Sequence, residues 1–225
     1  MLVVAAGRGR RFGAQRPKQY LPLGDRPLLQ HTLERLHAHP AIDPIVVVIA
    51  PDGGEFWSTL DLSALPRVRP PVGGGAERQD SVRLGLAALD LSPDAWVGIH
   101  DGARPLVTRA LLDRLLAARA TADALIAAIP AQDTVKQVDV TGRITTTLDR
   151  RTIWLAQTPQ LFRYGLIVAL HRRAQAAGFI GTDDASLAEW AGQPVSVVPG
   201  DGYNLKVTRP EDLPLAQFLL RENDP

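Results

Sequence analysis
Five short apolar runs punctuate this chain: "LVVAA" (2–6), "IVVVIA" (45–50), "WVGI" (96–99), "ALIAAI" (124–129) and "VSVV" (195–198). They lack the polar alternation of a half-exposed strand, so each reads as a strand covered on both faces. Between them lie helical patterns at 27–39, 78–90 and 109–120, the first setting Leu28, Leu29, Thr32 and Leu36 near one face. A last helix is predicted from about Pro210, with Thr208 as N-cap, Glu211 completing a capping box and Asp212 adding favourable charge. Strands alternating with helices predict an α/β sandwich with a mostly parallel sheet. At 225 residues, this is one domain over 1–225.

The segment "DTVKQVDVTGRITTTLDRRT" (133–152) breaks the pattern. It is polar, rich in Thr and Val, and has Thr141-Gly142 at its middle, so it reads as a hairpin. A lone two-stranded hairpin is marginal in water, and a second copy of the chain is a natural surface for it to pack on.

Composition narrows the function classes. Net charge is +1, so no global field favours nucleic acid or an anionic membrane. With no cysteine, disulfides, thiolate metal sites and thiol nucleophiles are excluded. No run approaches the ~18 apolar residues of a membrane span, and "MLVVAAG" lacks the cationic region and length of a signal peptide. A cytoplasmic protein is expected.

Against that neutral background, "AAGRGRRFGAQRPKQY" (5–20) crowds Arg8, Arg10, Arg11, Arg16 and Lys18 into eleven residues among three glycines. The loop follows the first strand at its carboxyl end, where open α/β sheets bind ligands. Glycines let backbone N–H groups close on anionic oxygens, and a phosphate-bearing ligand resolves the charge repulsion. It is not a dinucleotide fingerprint, because Phe12 stands at the sixth position, and the chain has no Gly-Lys-Ser/Thr phosphate loop. Lysine is scarce: 3 of 25 basic residues, at 18, 136 and 206. Lys18 and Lys206 thus mark places where a compact point charge suits better than a planar fork.

Two further stretches carry chemistry. In "GIHDGARP" (98–105), Asp101 at a strand end can hold a metal or a sugar hydroxyl, or satisfy local turn N–H groups; His100 reads as structural. In "VGGGAERQDS" (72–81), a triple glycine precedes a helix bearing Glu77, Asp80 and Ser81; it reads as a linker or as a base pocket formed by Gly75, Ala76 and the Ser81 hydroxyl. "GTDDAS" (181–186) reads as a plain helix start capped by Thr182, and the histidines at 31, 37, 39 and 171 as surface residues.

Taken together in order, "AAGRGRRF…RPKQY", "GGGAERQDSV", "HDGARP", "DTVK", "TLDR", "QTPQLF", "TDDAS" and "NLKVTRPEDL" closely resemble the 2-C-methyl-D-erythritol 4-phosphate cytidylyltransferase family, nearly end to end. The resemblance implies a Rossmann-like three-layer sandwich with a protruding β-arm (131–152) exchanged between two subunits. It implies transfer of a cytidylyl group from CTP to the sugar-alcohol phosphate, with release of pyrophosphate. By the same resemblance Arg11, Lys18 and Lys206 stabilise charge on the transferring group. Gly7 and Gly9 shape the triphosphate loop, Gly75, Ala76 and Ser81 surround cytosine, and Ala5, Ala6 and Gly102 approach the nucleotide by backbone. Asp101, Arg104, Thr158 and Lys206 line the sugar-phosphate side, and Thr134 and Arg150 of the partner subunit complete it. Three positions depart from the family pattern: Val4 for proline, Ala76 for an acid and Gly102 for alanine.

The chemistry agrees with this. Joining two phosphates crowds anions, so the protein's task is positioning and electrostatic stabilisation. Mg²⁺, held mainly by the triphosphate, is the expected cofactor. The attacking phosphate is already ionised, so no base is required. Three alternatives remain at this stage. A ribitol 5-phosphate cytidylyltransferase would share these motifs. A non-catalytic nucleotide-binding protein would be expected to have lost Arg11, Lys18 or Lys206. A nicotinamide dehydrogenase is disfavoured by Phe12.

Overall fold
The computed structural model describes residues 1–7 and 16–222. In chain order its elements are β1 (Leu2–Ala5), β2 (Pro22–Leu23), β3 (Arg26–Pro27), α1 (Leu28–His37), β4 (Val46–Ile49), α2 (Gly54–Trp57), β5 (Val72–Gly73), α3 (Arg78–Ala87), β6 (Trp96–Asp101), α4 (Arg109–Ala118), β7 (Ala124–Pro130), β8 (Lys136–Val138), β9 (Ile144–Thr147), β10 (Trp154–Arg163), α5 (Tyr164–Ala177), α6 (Asp184–Trp190), β11 (Ser196–Pro199) and α7 (Asp212–Glu222).

Seven strands form one sheet in the order β11-β7-β10-β6-β1-β4-β5. Neighbours run parallel except β10, which is antiparallel to both β6 and β7. The apolar runs are apolar because both faces are covered. Successive side chains alternate between faces, so Val3, Ala5, Val47 and Ile49 join Leu29, Leu33, Leu36, Leu111 and Leu115 in one core. Leu2, Val46 and Val48 join Val82, Leu86, Ile99, Phe162 and Ile167 in the other. Gly85, in the last turn of α3, shows how tightly the second layer sits: an added Cβ would fall 2.5 Å from a Leu2 methyl and 2.6 Å from a Val48 methyl. That approach explains a glycine where helix propensity alone would cost about 1 kcal/mol relative to alanine.

β10 is the strand that periodicity does not announce. Its sequence is broken by Gln157, Thr158 and Gln160, all buried, and its pairing with β7 shifts register between Ala156 and Gln160. Gln160 is satisfied locally: Nε2 donates to Asp183 Oδ2 at 2.7 Å, and Oε1 accepts the Ala185 N–H at 3.1 Å. A buried amide with both ends bonded is compatible with a central strand.

Several local expectations need correcting. Asp212, not Glu211, closes the start of the last helix: its Oδ2 accepts from the Thr208 N–H, the Thr208 hydroxyl and the Arg209 N–H. Asp183, not Thr182, caps α6, accepting the Ser186 N–H at 2.9 Å. His31, His39 and His171 are buried rather than on the surface, each facing an acceptor: Leu23 O, Asp113 and Asp184 respectively.

The hairpin forms as β8 and β9, a two-stranded sheet separate from the main one. Its turn uses Gly142 at φ +83°, a conformation that favours glycine, and Asp139 Oδ1 accepts the N–H groups of Thr141 and Arg143. Among the described residues, no helix is long and apolar enough to cross a membrane.

Candidate active site
Because β1, β4, β5 and β6 are parallel, their carboxyl ends share one edge of the sheet. A cleft of about 880 Å³ opens there, bounded by the start of α3 and by the segment before α7. Of the residues expected at a site, Ala5, Ala6, Gly7, Lys18, Gly75, Ala76, Ser81, Asp101 and Lys206 line it. Gly102, Arg104 and Thr158 are buried and do not line it; Thr134 and Arg150 belong to the arm region and do not reach it either. Gly9 and Arg11 lie outside the described residues.

The loop after β1 is anchored by residues that its charge pattern does not reveal. Gln19, 3% exposed, donates from Nε2 to the carbonyls of Ala5 at 2.5 Å and Gly7 at 3.0 Å. Arg16 donates to Thr59 Oγ1 at 2.9 Å and lies over the Phe56 ring, which also stacks on Tyr20. Between these anchors Lys18 Nζ donates to the Val207 carbonyl at 2.6 Å. The first and last segments of the chain therefore meet at the rim, and Lys18 stands next to the backbone that carries Lys206.

On the opposite wall the glycines are required by crowding. A Cβ at Gly74 would come within 2.6 Å of the Ala6 Cβ, and one at Gly75 within 2.4 Å of the Asp80 Cβ. Ser81 is 2% exposed; its hydroxyl accepts the Gly75 N–H and donates to Glu77 O, each at 3.1 Å. It thus shapes the loop that it shares with Gly75 and Glu77. Gly102 is equally confined, with a Cβ reaching 3.0 Å from Leu29 Cδ1, while its N–H donates to Val4 O at 2.9 Å.

Asp101 is the centre of charge on the cleft floor. Lys206 Nζ lies 2.6 Å from Oδ2 and Arg78 Nε 3.4 Å from Oδ1. Burial alone would raise this carboxyl, but the Lys206 ammonium and the Arg78 guanidinium outweigh it and hold it well below the usual carboxylate range. Burial opposes the charge on Arg78 too; Asp184 and then Asp101 reverse that and raise it. Behind Asp101, Thr158 Oγ1 accepts its backbone N–H at 3.0 Å and sits 3.1 Å from His100 Nδ1. His100 is fully buried, and desolvation pushes it down to about 4, so it is neutral at pH 7. Arg104 donates to Asn204 O at 2.6 Å, and burial lowers it. Asn204 in turn donates to Thr158 O at 2.8 Å, which ties the Lys206 segment to β10.

Glycine-rich walls, two lysines and an ionised, cation-paired aspartate in one cleft suit a phosphorylated nucleotide and a polyol. The comparisons with known proteins agree. The sequence profile of the family described as 2-C-methyl-D-erythritol 4-phosphate cytidylyltransferase matches residues 1–222. A protein of that name from Syntrophotalea carbinolica is 49% identical over 224 residues, spanning 98% of this chain and 95% of the relative. Another from Geobacter metallireducens is 46% identical over 228 residues, spanning 100% and 98%. Among solved structures, the 4-diphosphocytidyl-2C-methyl-D-erythritol synthase of Anaerococcus prevotii is similar with a TM-score of 0.85 at 32% identity, covering 98% of this chain and 96% of that one. With likeness of this extent in both sequence and fold, the chain belongs to the 2-C-methyl-D-erythritol 4-phosphate cytidylyltransferase family.

Proposed function
We infer that this cleft transfers the cytidylyl group of CTP to 2-C-methyl-D-erythritol 4-phosphate, giving 4-diphosphocytidyl-2-C-methyl-D-erythritol and pyrophosphate. One observation carries the reading: Lys18, bonded to the Val207 carbonyl, and Lys206, paired with Asp101, come from opposite ends of the chain to line one cleft whose walls are glycine-rich backbone. An oxygen of the acceptor phosphate forms a bond to the α-phosphorus, and the bond from that phosphorus to the bridging oxygen breaks, its electron pair leaving with pyrophosphate. Negative charge grows on oxygens already crowded together. Fixed cations beside that charge offset it without reorganising. Lys18 is held by Val207 O and Lys206 by Asp101, so both are oriented before substrate arrives. Arg11, by family resemblance, adds a third cation.

No group of the chain needs to remove a proton, since the attacking phosphate is ionised at pH 7. His100, neutral and sealed from the cleft, serves to hold Thr158 and the Arg104 carbonyl in place.

Magnesium fits the donors present. The carboxylates lining the cleft are Glu77 and Asp101, and among the described residues no cluster of three or more His, Asp or Glu side chains could hold a metal alone. Such a set suits a cation that takes most of its ligands from phosphate oxygens. Held mainly by the triphosphate, it would neutralise that charge when bound.

The active species is a homodimer in the cytoplasm. Val138, Val140 and Ile144 of the arm are exposed, as are Trp154 and Leu155 at its base, and a second copy would cover them. Thr134 and Arg150 would then serve the partner's cleft.

The test is pyrophosphate release with Mg²⁺, each nucleoside triphosphate in turn, and either methylerythritol 4-phosphate or ribitol 5-phosphate. Release with CTP and methylerythritol phosphate is expected. Release only with ribitol phosphate, or with neither acceptor, would overturn the assignment.

A further inference from the structure
Arg78 opens α3 and lines the cleft, yet neither loop charge nor lysine scarcity marks it out. Its guanidinium is pinned at two nitrogens: Nη1 donates to Asp184 Oδ2 at 2.8 Å, and Nε to Asp101 Oδ1 at 3.4 Å. Asp184 is 1% exposed, and its other oxygen faces the equally buried His171 Nε2 at 3.2 Å. The plane of the guanidinium is thereby set. Its remaining nitrogen, Nη2, is buried and has no hydrogen-bond partner among the described residues. An unmade hydrogen bond on a buried charged group is costly and calls for an explanation.

The fork geometry of the side chain supplies one. In a guanidinium, one Nη2–H runs side by side with the Nε–H. Since Nε–H is directed at Asp101, Nη2 offers its hydrogen beside the same carboxylate, on the cleft floor. A single oxygen that accepts from Nη2 and donates to Asp101 satisfies both. A phosphate oxygen cannot donate and would meet the Asp101 charge. A hydroxyl can do both.

We propose that Arg78 is a further substrate-contacting residue, reading a sugar hydroxyl seated between its Nη2 and Asp101, and that the buried Asp184–His171 pair positions it. This rests on the cytidylyl-transfer reading, in which both the ribose of CTP and the acceptor polyol carry hydroxyls. The positioning pair lies outside the cleft lining, on α5 and α6, so it acts only through Arg78.

The test compares the parent with Arg78→Lys, which keeps the charge and removes Nη2, and Asp184→Asn, which keeps an acceptor for Arg78 and removes its charge. Steady-state kinetics are measured with CTP, 2′-deoxy-CTP and 3′-deoxy-CTP while the acceptor is varied, with circular dichroism melts alongside. For Arg78→Lys, kcat/KM should fall about tenfold or more, the scale of a lost hydrogen bond to a charged group. If the hydroxyl is ribose, the loss disappears with one deoxy nucleotide. If it is on the acceptor, every nucleotide loses equally and KM for the acceptor rises. Asp184→Asn should lose less, in the same substrate. A folded Arg78→Lys enzyme within twofold of the parent throughout would overturn the proposal. So would a fall in kcat alone, equal for every nucleotide with both KM values unchanged, since Arg78 would then only hold Asp101. If Arg78→Lys does not fold, Asp184→Asn and His171→Gln carry the same readout, and activities equal to the parent's overturn it. A parent that releases no pyrophosphate would instead overturn the function itself, and this inference with it.

Discussion
The cleft floor and the arm are opposite solutions to burial. On the floor, charged and polar groups are buried and matched: Asp101, Asp184, His100 and Thr158 are each at most 7% exposed, and each faces partners within the same chain. On the arm, apolar groups are exposed and unmatched, with Ile144 61% exposed and Val140 fully so. Buried charge survives only with partners already in place, so the floor's geometry is specified by this chain alone. Val138, Val140 and Ile144 stand exposed together on a two-stranded element outside the main sheet, where no described residue of this chain covers them. The cleft floor is preorganised by pairs within the chain, whereas the apolar groups of the arm are left to solvent.

The largest effect should come from breaking a buried pair. Asp184→Ala leaves the Arg78 guanidinium facing a void with only the longer contact to Asp101. We expect a loss of about 3–5 kcal/mol in unfolding free energy, as for other broken buried pairs. The midpoint and slope of chemical denaturation measure it. A loss below about 1 kcal/mol, the scale of a surface pair, would mean that the floor is held otherwise, and the contrast with the arm would weaken.

Next comes Lys18→Ala, which removes a cation held against the Val207 carbonyl. Turnover should fall by about 10² or more, the scale of losing one preorganised donor. Stability should fall by much less than for Asp184→Ala, a hydrogen bond such as that to Val207 O being worth about 1 kcal/mol. Turnover within tenfold of the parent would remove Lys18 from the mechanism.

These two residues also show what could be read from sequence. Lys18 was legible because it sits in a glycine-rich, cation-dense loop after an apolar run. The parallel strands were legible for a related reason: full burial makes them uniformly apolar. β10 was not, since its buried Gln157, Thr158 and Gln160 look like loop residues until their partners are known. Arg78, Asp184 and His171 were missed because their meaning lies in pairing across 106 and 13 positions of the chain, which no spacing rule encodes. His171 read as a surface histidine; only the fold seals it against Asp184. Ser81 was legible as a residue of the cleft wall, though not as the group that bonds Gly75 to Glu77.

A smaller effect per unit of pH comes from His100. Its folded value, about 4, lies below the ordinary 6.5. As pH falls below 6.5 the unfolded chain takes up a proton that the folded chain refuses until about pH 4. Stability from this residue is therefore complete above that window and declines through it, by about 1.4 kcal/mol per unit and about 3 kcal/mol in all. Asp101 adds a separate loss with the same direction but a lower window. Its carboxyl is depressed in the fold, so its contribution is present above the ordinary carboxylate range and fades as pH falls below it. Denaturation midpoints between pH 7 and 4, compared for parent and His100→Asn, should keep a constant gap above pH 6.5 and shift against one another steadily below it, the parent losing stability that the variant does not. Parallel profiles would mean that the floor admits a proton as readily as the unfolded chain.

The smallest effect on the fold should come from the arm, where the largest effect on assembly is expected. Val138 and Ile144 are more than half exposed and touch neither sheet core. Replacing both by Asp should change the stability of the single subunit by about 0.5 kcal/mol or less, as surface substitutions do. The same change places charge on the face that a second copy would cover. The parent's melting temperature should rise with protein concentration, because association stabilises the folded state, whereas the double variant's should not. Light scattering should give a halved mass, and turnover should fall because Thr134 and Arg150 lose their place beside the partner's cleft. An unchanged mass with full activity would show that the exposed arm makes no such contact, and the division of labour between floor and arm would fail at its weaker half.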